Sequence, residues 1–273
     1  MKKLLLCLLL CLFTFNVVAC GGENEEQPDN RPTFTVGMEC AYAPFNWTEY
    51  EKTESNYSID GTNLFAEGYD VQIAKLIADA LDRRLVIKAI EWDGLIASLE
   101  TGQIDAIIAG MSNTEERRIS VDFTAPYYRS THVLLMKSNS EYINGTTLNA
   151  FAGADVVGQK GTLYDTLIDQ LVGVNHLDPL DDVPQIITAI TNNRADITIL
   201  EEPVAKGIVE SDSTFTYIKL TEGFNVSDED VCVAIATNKG NPDLTSQISA
   251  ALEQISEATR QQLMNEAIAN NAE

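Results

Sequence analysis

Basic residues are scarce in this sequence: 18 Lys and Arg stand against 41 Asp and Glu among 273 residues, a formal charge of −23. A chain this acidic has no basic surface to neutralise phosphates, which excludes nucleic acid as an expected partner. Histidine is scarcer still, because His132 and His176 are the only two and neither has a second ligand at metal-site spacing. We therefore expect no metal, no cofactor and no nucleic-acid partner.

The motifs of covalent and nucleotide chemistry are also missing. No serine has a nucleophile-elbow pattern around it, and there is no Walker loop and no GxGxxG. The segment GQKGT, residues 158–162, has a weak resemblance to a phosphate loop but lacks the full spacing. We interpret it as a glycine turn that presents backbone N–H groups and Thr162 at a helix start, which suits a carboxylate or another anion.

The one long apolar run lies at the N-terminus. Two lysines precede it, and its 16 residues from Leu4 to Ala19 fall short of the ~20 that a membrane-spanning helix needs. It ends in VVAC, which resembles a lipobox, although many lipoboxes have leucine in place of Val17. We predict a lipoprotein signal peptide over residues 1–19 and lipidation of Cys20; an uncleaved membrane helix is the alternative.

Residues 20–32 contain almost nothing apolar after Cys20, so they cannot bury a core and are predicted to form a flexible tether. A lipid anchor and a tether would keep the following domain within reach of a partner in the same membrane. Two of the five cysteines, Cys40 and Cys232, remain for that domain. We favour free thiols over a disulfide, whose geometry the sequence does not reveal.

Strands and helices alternate beyond the tether, a pattern typical of an α/β fold. Thr33–Glu39 is a predicted strand. Gly68–Leu81 is a predicted helix in which we expect Asp70 to be the N-cap. We expect its apolar stripe to consist of Ile73, Leu76, Ile77, Ala80 and Leu81.

One pattern of helix, polar turn and buried strand occurs twice in the sequence. Gly94–Ile108 comprises a helix, which Asp93 is expected to cap, a polar turn, and the start of a continuous buried strand that runs over Ile104–Gly110. A similar pattern returns 91 residues later as Gln185–Ile199. The recurrence predicts two sheets of similar build, unless it reflects only the likeness of any two βαβ units.

Arg117 lies in an unfavourable place for a free cation. Thr114 is the predicted N-cap of a helix, which puts Arg117 in the first turn, where the helix dipole opposes a positive charge by ~0.3–1 kcal/mol. A surface arginine paired with Glu115 and Glu116 is one interpretation. The other is that Arg117 binds an anion.

Five segments in order carry a resemblance to a known family: GMECAYAPFNW, GYDVQIAKLIADAL, IDAIIAGMSNTEER, DFTAPYY and VGQKGT. Together they resemble the family 3 extracellular solute-binding proteins, the ligand receptors of polar amino-acid ABC transporters. The resemblance implies a two-lobed α/β fold of the type II periplasmic-binding-protein kind, hinged on two crossover strands. It places lobe 1 at residues 33–128 plus 230–273, and lobe 2 at residues 129–229.

The same resemblance implies roles at the head of an amino acid. Arg117 matches the arginine that binds the ligand α-carboxylate, Ser112 a hydroxyl beside it, and Thr162 a further donor to the carboxylate. Gly110 matches a backbone carbonyl facing the α-ammonium. Glu201 matches an acid that pairs with that ammonium, although the neighbouring Glu202 leaves this assignment open.

Further matches imply the side-chain end of the ligand. Tyr42 matches an aromatic ring over the ligand side chain, and Trp92 and Phe45 fall near the same pocket unless they are ordinary core. Glu39 matches an acid of receptors for cationic amino acids, and also of glutamine receptors. An acidic, aromatic pocket suits a guanidinium or ammonium, so we expect arginine or lysine, then histidine, then glutamine. The polar insert at residues 49–66 could edge the cleft.

These matches imply a lipid-anchored, monomeric amino-acid receptor on the outer face of the cell membrane, which delivers ligand to the permease subunits of an ABC importer and is not an enzyme. Two alternatives come from other classes. One is a cyclohexadienyl dehydratase-like enzyme on the same fold, with Glu201 as its acid or base. The other is a ligand-sensing module, which the lack of any following membrane helix or kinase disfavours.

Overall fold

The computed structural model describes residues 29–272, so the predicted signal peptide, Cys20 and most of the predicted tether lie outside the described residues. The strands are β1 (Thr33–Met38), β2 (Ala41–Tyr42), β3 (Asn46–Glu49), β4 (Tyr57–Ser58), β5 (Phe65–Glu67), β6 (Arg84–Ala89), β7 (Ala106–Ile107), β8 (Val121–Arg129), β9 (His132–Lys137), β10 (Asp155–Val156), β11 (Asn175–His176), β12 (Ile197–Glu201), β13 (Phe215–Ile218) and β14 (Cys232–Asn238). The helices are α1 (Tyr69–Ala80), α2 (Leu95–Glu100), α3 (Arg117–Ser120), α4 (Leu163–Leu167), α5 (Val183–Thr191), α6 (Glu202–Ser211), α7 (Pro242–Glu253) and α8 (Glu257–Asn271). Among the described residues, no helix is both long enough and apolar enough to cross a lipid bilayer.

The first sheet has the strand order β6-β1-β7-β14-β8. Strand β1 runs parallel to β6 and β7, whereas β14 runs antiparallel to β7 and β8. The strand predicted over Ile104–Gly110 is therefore shorter than expected, Ala106–Ile107, and it lies where the sheet changes from parallel to antiparallel pairing. Strand β7 is buried although it is short, because β1 and β14 flank it on both sides.

The second sheet repeats that arrangement, with the strand order β11-β10-β12-β9-β13. Strand β10 runs parallel to β11 and β12, and β9 runs antiparallel to β12 and β13. The chain passes from the first sheet to the second between β8 and β9, and returns between β13 and β14. A third sheet, with the strand order β2-β3-β5-β4, accompanies these two. The two five-stranded sheets confirm the predicted α/β architecture, while the exact lobe boundaries stay a prediction.

The recurring sequence block corresponds to equivalent structure in the two sheets. Each copy turns after its helix through a residue with positive φ, Gly102 at +72° and Asn193 at +56°. The Asp105 N–H then donates to the Thr35 carbonyl of β1, and the Asp105 carboxylate accepts the Thr35 N–H at 2.8 Å. Asp196 does the same with Asp155 of β10, at 2.9 Å. The two copies of the repeat therefore share the same turn conformation and the same bonds from an aspartate to the neighbouring parallel strand.

Asp70 does not cap its helix, which corrects the prediction. Helix α1 begins after Gly68, and the Asp70 carboxylate is buried, where it accepts bonds from Asn46 Nδ2 at 2.8 Å and the Tyr127 hydroxyl at 2.6 Å. Burial raises the pKa of Asp70 to about 6. The carboxylate therefore links α1 to two distant segments of the first lobe, which a cap at the helix end could not do.

The apolar stripe of α1 is narrower than predicted. Ile73 and Ile77 are fully buried, as expected of positions one helical turn apart on the core face. Leu76 and Ala80 are exposed, and Leu81 is half-buried beyond the last residue of the helix. Packing against the first sheet therefore needs only part of the apolar surface that the sequence offers.

Asp93 is not a helix cap either. Trp92–Gly94 forms a 3-10 turn, helix α2 begins at Leu95, and no side chain caps it. The Asp93 carboxylate instead lies 2.6 Å from the Lys160 ammonium. An ion pair across the molecule has replaced the local bond that the sequence predicts.

The insert at residues 49–66 lies along the outer edge of the first sheet. The Asp60 N–H donates to the Ile87 carbonyl at 2.8 Å, and the Tyr57 hydroxyl donates to the Leu85 carbonyl at 3.0 Å. Strand β6 is the edge strand there, and an uncovered edge invites pairing with other chains. The insert covers this edge.

Both cysteines of the described residues are buried free thiols, as predicted. Burial raises the pKa of Cys40 to about 12, so the thiolate is not formed near neutral pH. These cysteines contribute packing rather than reactivity.

Candidate functional site

Four strand ends converge on one region between the two sheets. Glu39 directly follows β1, and the segment from Gly110 to Arg117 follows β7 after a short turn. In the second sheet, the segment from Gln159 to Tyr164 follows β10, and Glu201 ends β12. Ligands of open α/β sheets bind at the carboxyl ends of the strands, so this region is the candidate site.

A narrow cavity with a volume of only about 10 Å³ lies in this region. It brings together seven of the nine predicted ligand-binding residues, namely Glu39, Tyr42, Trp92, Gly110, Ser112, Arg117 and Thr162. Three further residues complete the lining, Gln159, Leu163 and Tyr164. The remaining two predicted residues are not part of the lining: Phe45 stacks on Tyr42, and Glu201 is buried at the end of β12. No residue of the insert at 49–66 lines the cavity.

Helix α3 begins at Arg117, so Glu116 occupies the N-cap position that was predicted for Thr114, although the Thr114 hydroxyl accepts the Arg117 backbone N–H at 3.3 Å. The Arg117 guanidinium donates to the carbonyls of Ser112 at 2.9 Å and Gly161 at 3.3 Å. Burial lowers the pKa of Arg117, but a guanidinium stays charged in proteins. Both of these hydrogen-bond partners are neutral, so neither compensates the positive charge beside the cavity.

Trp92 covers the guanidinium. The Arg117 Cζ atom lies 5.1 Å from the centre of the indole ring, within the range of a cation–π contact. The indole N–H donates to the Gly161 carbonyl at 3.2 Å. The ring therefore holds the guanidinium plane while its polar edge contacts the second lobe.

Glu39 supplies an acidic group to the same lining. Its Oε1 accepts a bond from Gln159 Nε2 at 2.8 Å, and the same amide nitrogen donates to the Asp181 carbonyl at 3.0 Å. Burial, followed by the charge of Asp182, raises the pKa of Glu39 to about 8, and Glu91 and Asp93 add to the shift. A carboxyl group with such neighbours gains from a cation that enters beside it.

Tyr42 forms the aromatic wall. Its ring stacks on Phe45 with centroids 5.6 Å apart and an interplanar angle of 8°. Gly110 faces this wall with φ +62°, and a Cβ there would lie 3.1 Å from the Tyr42 ring. Glycine is needed here for its backbone conformation and because the aromatic ring is so close.

The Thr162 hydroxyl is already hydrogen-bonded within the protein, whereas the buried Tyr42 hydroxyl has no hydrogen-bond partner among the described residues. The Thr162 hydroxyl donates to the Gln159 carbonyl at 2.7 Å and accepts the Asp165 N–H at 3.4 Å, which makes it the N-cap of α4. The Ser112 side chain lies beside the Tyr164 hydroxyl. Thr162 therefore shapes the turn after β10, and donation to a ligand would require it to exchange one of these bonds.

Glu201 and Glu202 have opposite environments. Glu201 is 1% exposed, and neither carboxylate oxygen has a hydrogen-bond partner among the described residues. Burial raises its pKa to about 8. The opposite residue in β9, His132, is held neutral because burial lowers its pKa to about 4. A buried acid without a partner is unusual and calls for a specific explanation.

Glu202 instead points away from the core. Its carboxylate pairs with the Lys219 ammonium at 2.7 Å and accepts the Thr131 hydroxyl at 2.9 Å. These contacts lower its pKa. Of the two adjacent acids, Glu201 is therefore the one available to a buried cationic group.

Three lining residues were not predicted from the sequence: Gln159, Leu163 and Tyr164. All three lie within or directly after the VGQKGT segment. This segment follows the carboxyl end of β10, and the apolar residues before its first glycine were a signal that could have identified Gln159.

Comparisons with known proteins agree with this geometry. The Arginine-binding extracellular protein ArtP of Bacillus subtilis is 27% identical over 260 residues, which cover 93% of each chain. A Probable histidine-binding protein of Campylobacter jejuni is 30% identical over 82% of this chain and 83% of its own. The crystal structure of the amino-acid ABC transporter substrate-binding protein AbpA of Streptococcus pneumoniae, bound to L-arginine, matches with a TM-score of 0.75 and 27% identity over 88% of this chain and 96% of its own.

The fold, with two sheets joined by two crossings, is therefore that of these amino-acid-binding proteins, as predicted. A family description covers nearly all of the described residues, from 34 to 269. The chain belongs to the bacterial extracellular solute-binding proteins, family 3.

Proposed function

We propose that this protein binds a free amino acid between its two lobes and delivers it to the permease of an ABC importer. The observation that carries the proposal is a cavity lined by both the Arg117 guanidinium and the Glu39 carboxyl group. The guanidinium, which is bonded only to neutral carbonyls, is suited to an α-carboxylate. The unpartnered Glu201 carboxylate is suited to the α-ammonium.

The ligand of this proposal has a cationic side chain, with arginine or lysine first and histidine next. Glu39 and its acidic neighbours Asp182, Glu91 and Asp93 favour a positive charge at the side-chain end. Trp92 and Tyr42 add aromatic surface to the same lining. The arginine-binding relatives and the arginine-bound structure support this choice.

Glutamine is the second candidate, and one observation favours it. The raised pKa of Glu39 keeps its carboxyl largely protonated near neutral pH before a cation enters. A neutral carboxyl can hydrogen-bond to a side-chain amide at little desolvation cost. An ancestral arginine-binding protein has been solved bound to glutamine, at a TM-score of 0.70 and 26% identity to this chain.

A thermal-shift screen over the twenty amino acids tests the proposal. A ligand present at 100 times its dissociation constant stabilises by ~2.7 kcal/mol, which is an easily measured shift. We expect the largest shift with arginine or lysine, and none with argininamide, whose carboxylate is blocked. If no amino acid raises the melting temperature, the proposed function is overturned. Turnover of prephenate or arogenate would instead support the enzymatic alternative.

The anchoring also belongs to the proposal. We infer a monomer held on the outer face of the membrane by lipid on Cys20, because that residue follows a lipobox-like segment and precedes a polar tether. Cys20→Ala should release the protein from the membrane fraction or leave its precursor unprocessed. A variant that is processed and fractionates like the wild type would overturn the anchor and leave ligand binding untouched.

A further inference from the structure

Two short segments, one from each lobe, meet beside the cavity. Trp92 and Asp93 follow β6 in the first lobe, and Lys160 and Gly161 follow β10 in the second. The Lys160 ammonium lies 2.6 Å from the Asp93 carboxylate, and the Trp92 indole N–H donates to the Gly161 carbonyl at 3.2 Å. Two adjacent residues of one segment therefore bond two adjacent residues of the other.

These contacts converge on Arg117. The Gly161 carbonyl that accepts the indole N–H also accepts the guanidinium at 3.3 Å, and the indole ring covers the same guanidinium. Gly161 has φ +68°, and a Cβ there would lie 3.0 Å from the Asp93 carboxylate. The turn can approach this closely only because it has a glycine at this position.

Asp93 and Lys160 do not themselves line the cavity. Their side chains are about half exposed, 49% for Asp93 and 56% for Lys160. Their contact lies outside the Trp92–Gly161 bond, on the solvent side. We propose that Asp93 and Lys160 form a clasp that positions Trp92 and Gly161 against Arg117 and prolongs the dwell time of the bound ligand.

The clasp acts on ligand release because it exists only while the two segments are together. An interaction made in the closed form alone stabilises that form relative to any open one. Opening must break the ion pair and the Trp92–Gly161 bond before ligand leaves, so the pair slows dissociation more than it changes association. This inference rests on the proposed function, in which closure retains an amino acid.

A competing role for Asp93 predicts the opposite sign. Asp93 is one of the acids near Glu39, so it could act only through its negative charge on a cationic ligand. Lys160→Met leaves that charge in place and removes the cation that partly neutralises it. The charge role alone therefore predicts slower release of a cationic ligand from Lys160→Met, whereas the clasp predicts faster release.

The experiment measures L-arginine release from the whole soluble domain by stopped-flow displacement. We expect Lys160→Met to speed release about two- to fivefold, the range for an exposed ion pair, with association nearly unchanged. In an Asp93→Asn background, Lys160→Met should have no further effect. The matched control is Lys206→Met, which breaks the 3.7 Å pair with Glu210 inside α6 and should leave release unchanged. Unchanged or slower release from Lys160→Met overturns the clasp.

A ligand-free measurement separates failure of the clasp from failure of the proposed function. The chain has two tryptophans, so Trp47→Phe leaves Trp92 as the sole emitter. In that background, Lys160→Met should shift the Trp92 emission to the red, because the indole becomes more exposed to water. An unshifted spectrum overturns the clasp. If the wild type binds no arginine and the emission still shifts, the ion pair does position Trp92, but the proposed function and the effect on ligand release both fail.

Discussion

Glu39 and Gln159 occupy the same place in two different sheets. Each lies four residues beyond the residue, Thr35 or Asp155, that exchanges bonds with the aspartate of the recurring block. The two side chains then meet across the site at 2.8 Å, although 120 residues separate them in the chain. Equivalent strand ends of the two halves therefore face each other.

The second pair of strand ends shows how the halves differ. The 91-residue offset of the block that places Asp196 against Asp105 also places Glu201 against Gly110. The first half has a glycine there, with positive φ against Tyr42, and the second half has a buried acid without a partner. A common backbone frame thus holds different chemistry at its ends, as expected when function resides in side chains added to a scaffold.

Removal of Arg117 should have the largest effect, because it is the only arginine of the lining. In a closed site the pair with a carboxylate is desolvated, so Arg117→Ala should cost ~2–5 kcal/mol of binding. That is roughly a 30- to several-thousand-fold rise in dissociation constant, measured by calorimetry with arginine and glutamine alike. Arg117→Lys should restore only part, because an ammonium lacks the two-pronged geometry.

The neighbouring arginine supplies the matched control. Arg118 donates to the carbonyl and the side-chain oxygen of Asn113, at 2.8 and 3.0 Å, and does not line the cavity. Arg118→Ala should therefore leave affinity nearly unchanged, and circular dichroism should show both variants folded. If the affinity of Arg117→Ala is within threefold of the wild type, Arg117 does not bind the ligand α-carboxylate.

Glu201 tests the contribution of the second half. Its pKa is raised from 4.5 to about 8, so the folded, ligand-free protein holds a proton that the unfolded chain releases across that range. Its contribution to stability is therefore complete below about pH 4.5 and is lost as the pH rises towards 8. We expect Glu201→Gln to flatten the fall in unfolding free energy over this range, measured by urea denaturation.

The same variant should weaken amino-acid binding by ~1–3 kcal/mol, since it removes the charge that would pair with the α-ammonium. Glu202→Gln is the control, because Glu202 is paired with Lys219 and its pKa is lowered, not raised. It should change neither affinity nor the slope between about pH 5 and 8. Equal effects from the two variants would mean that Glu201 has no special role.

Glu39 sharpens the comparison at the side-chain end. Glu39→Gln makes the two equivalent strand ends both amides, and it should weaken arginine or lysine binding by ~1–3 kcal/mol. Glutamine, if it binds, should lose less, because its amide carries no charge to be compensated. Calorimetry with both ligands checks this, and equal losses would show that Glu39 does not distinguish side-chain charge.

The smallest effects are expected where the halves are alike. Asp105→Ala and Asp196→Ala each remove the carboxylate that accepts a strand N–H, at 2.8 and 2.9 Å. Each should lower the free energy of unfolding by ~1–2 kcal/mol, the cost of an unsatisfied donor, with ligand affinity nearly unchanged. Urea denaturation of both variants measures it. If the losses of unfolding free energy in the two variants differ by more than ~1 kcal/mol, the two halves share a backbone arrangement but not the energetic contribution of this aspartate.

Local sequence patterns predicted those helices, strands and turns that are determined by interactions between residues close together in the chain. The alternation of apolar runs indicated an α/β fold, the recurring block indicated two similar sheets, and Thr114 indicated a helix start at Arg117. The hydrogen bonds behind these predictions join residues a few positions apart, so their pattern is visible in the sequence. The resemblance then assigned the site residues, seven of which line one cavity.

Two of the wrong predictions concern carboxylates with a choice of partner. Asp70 and Asp93 both suit a helix cap by position, yet one is buried under Tyr127 and the other pairs with Lys160. The local bond of a cap contributes about 1 kcal/mol, which distant partners can outweigh. Sequence patterns do not register those partners, because they come from other segments.

The sequence by itself determined the two sheets, the repeated turn with its aspartate, and the position of Arg117 at a helix start. Only the tertiary structure decided that Gln159 meets Glu39, that Glu201 rather than Glu202 is buried, and that Asp93 binds Lys160. The physical reason is that periodicity and capping act within a few residues. Burial, desolvation and the pairing of charges depend on which segments the fold brings together.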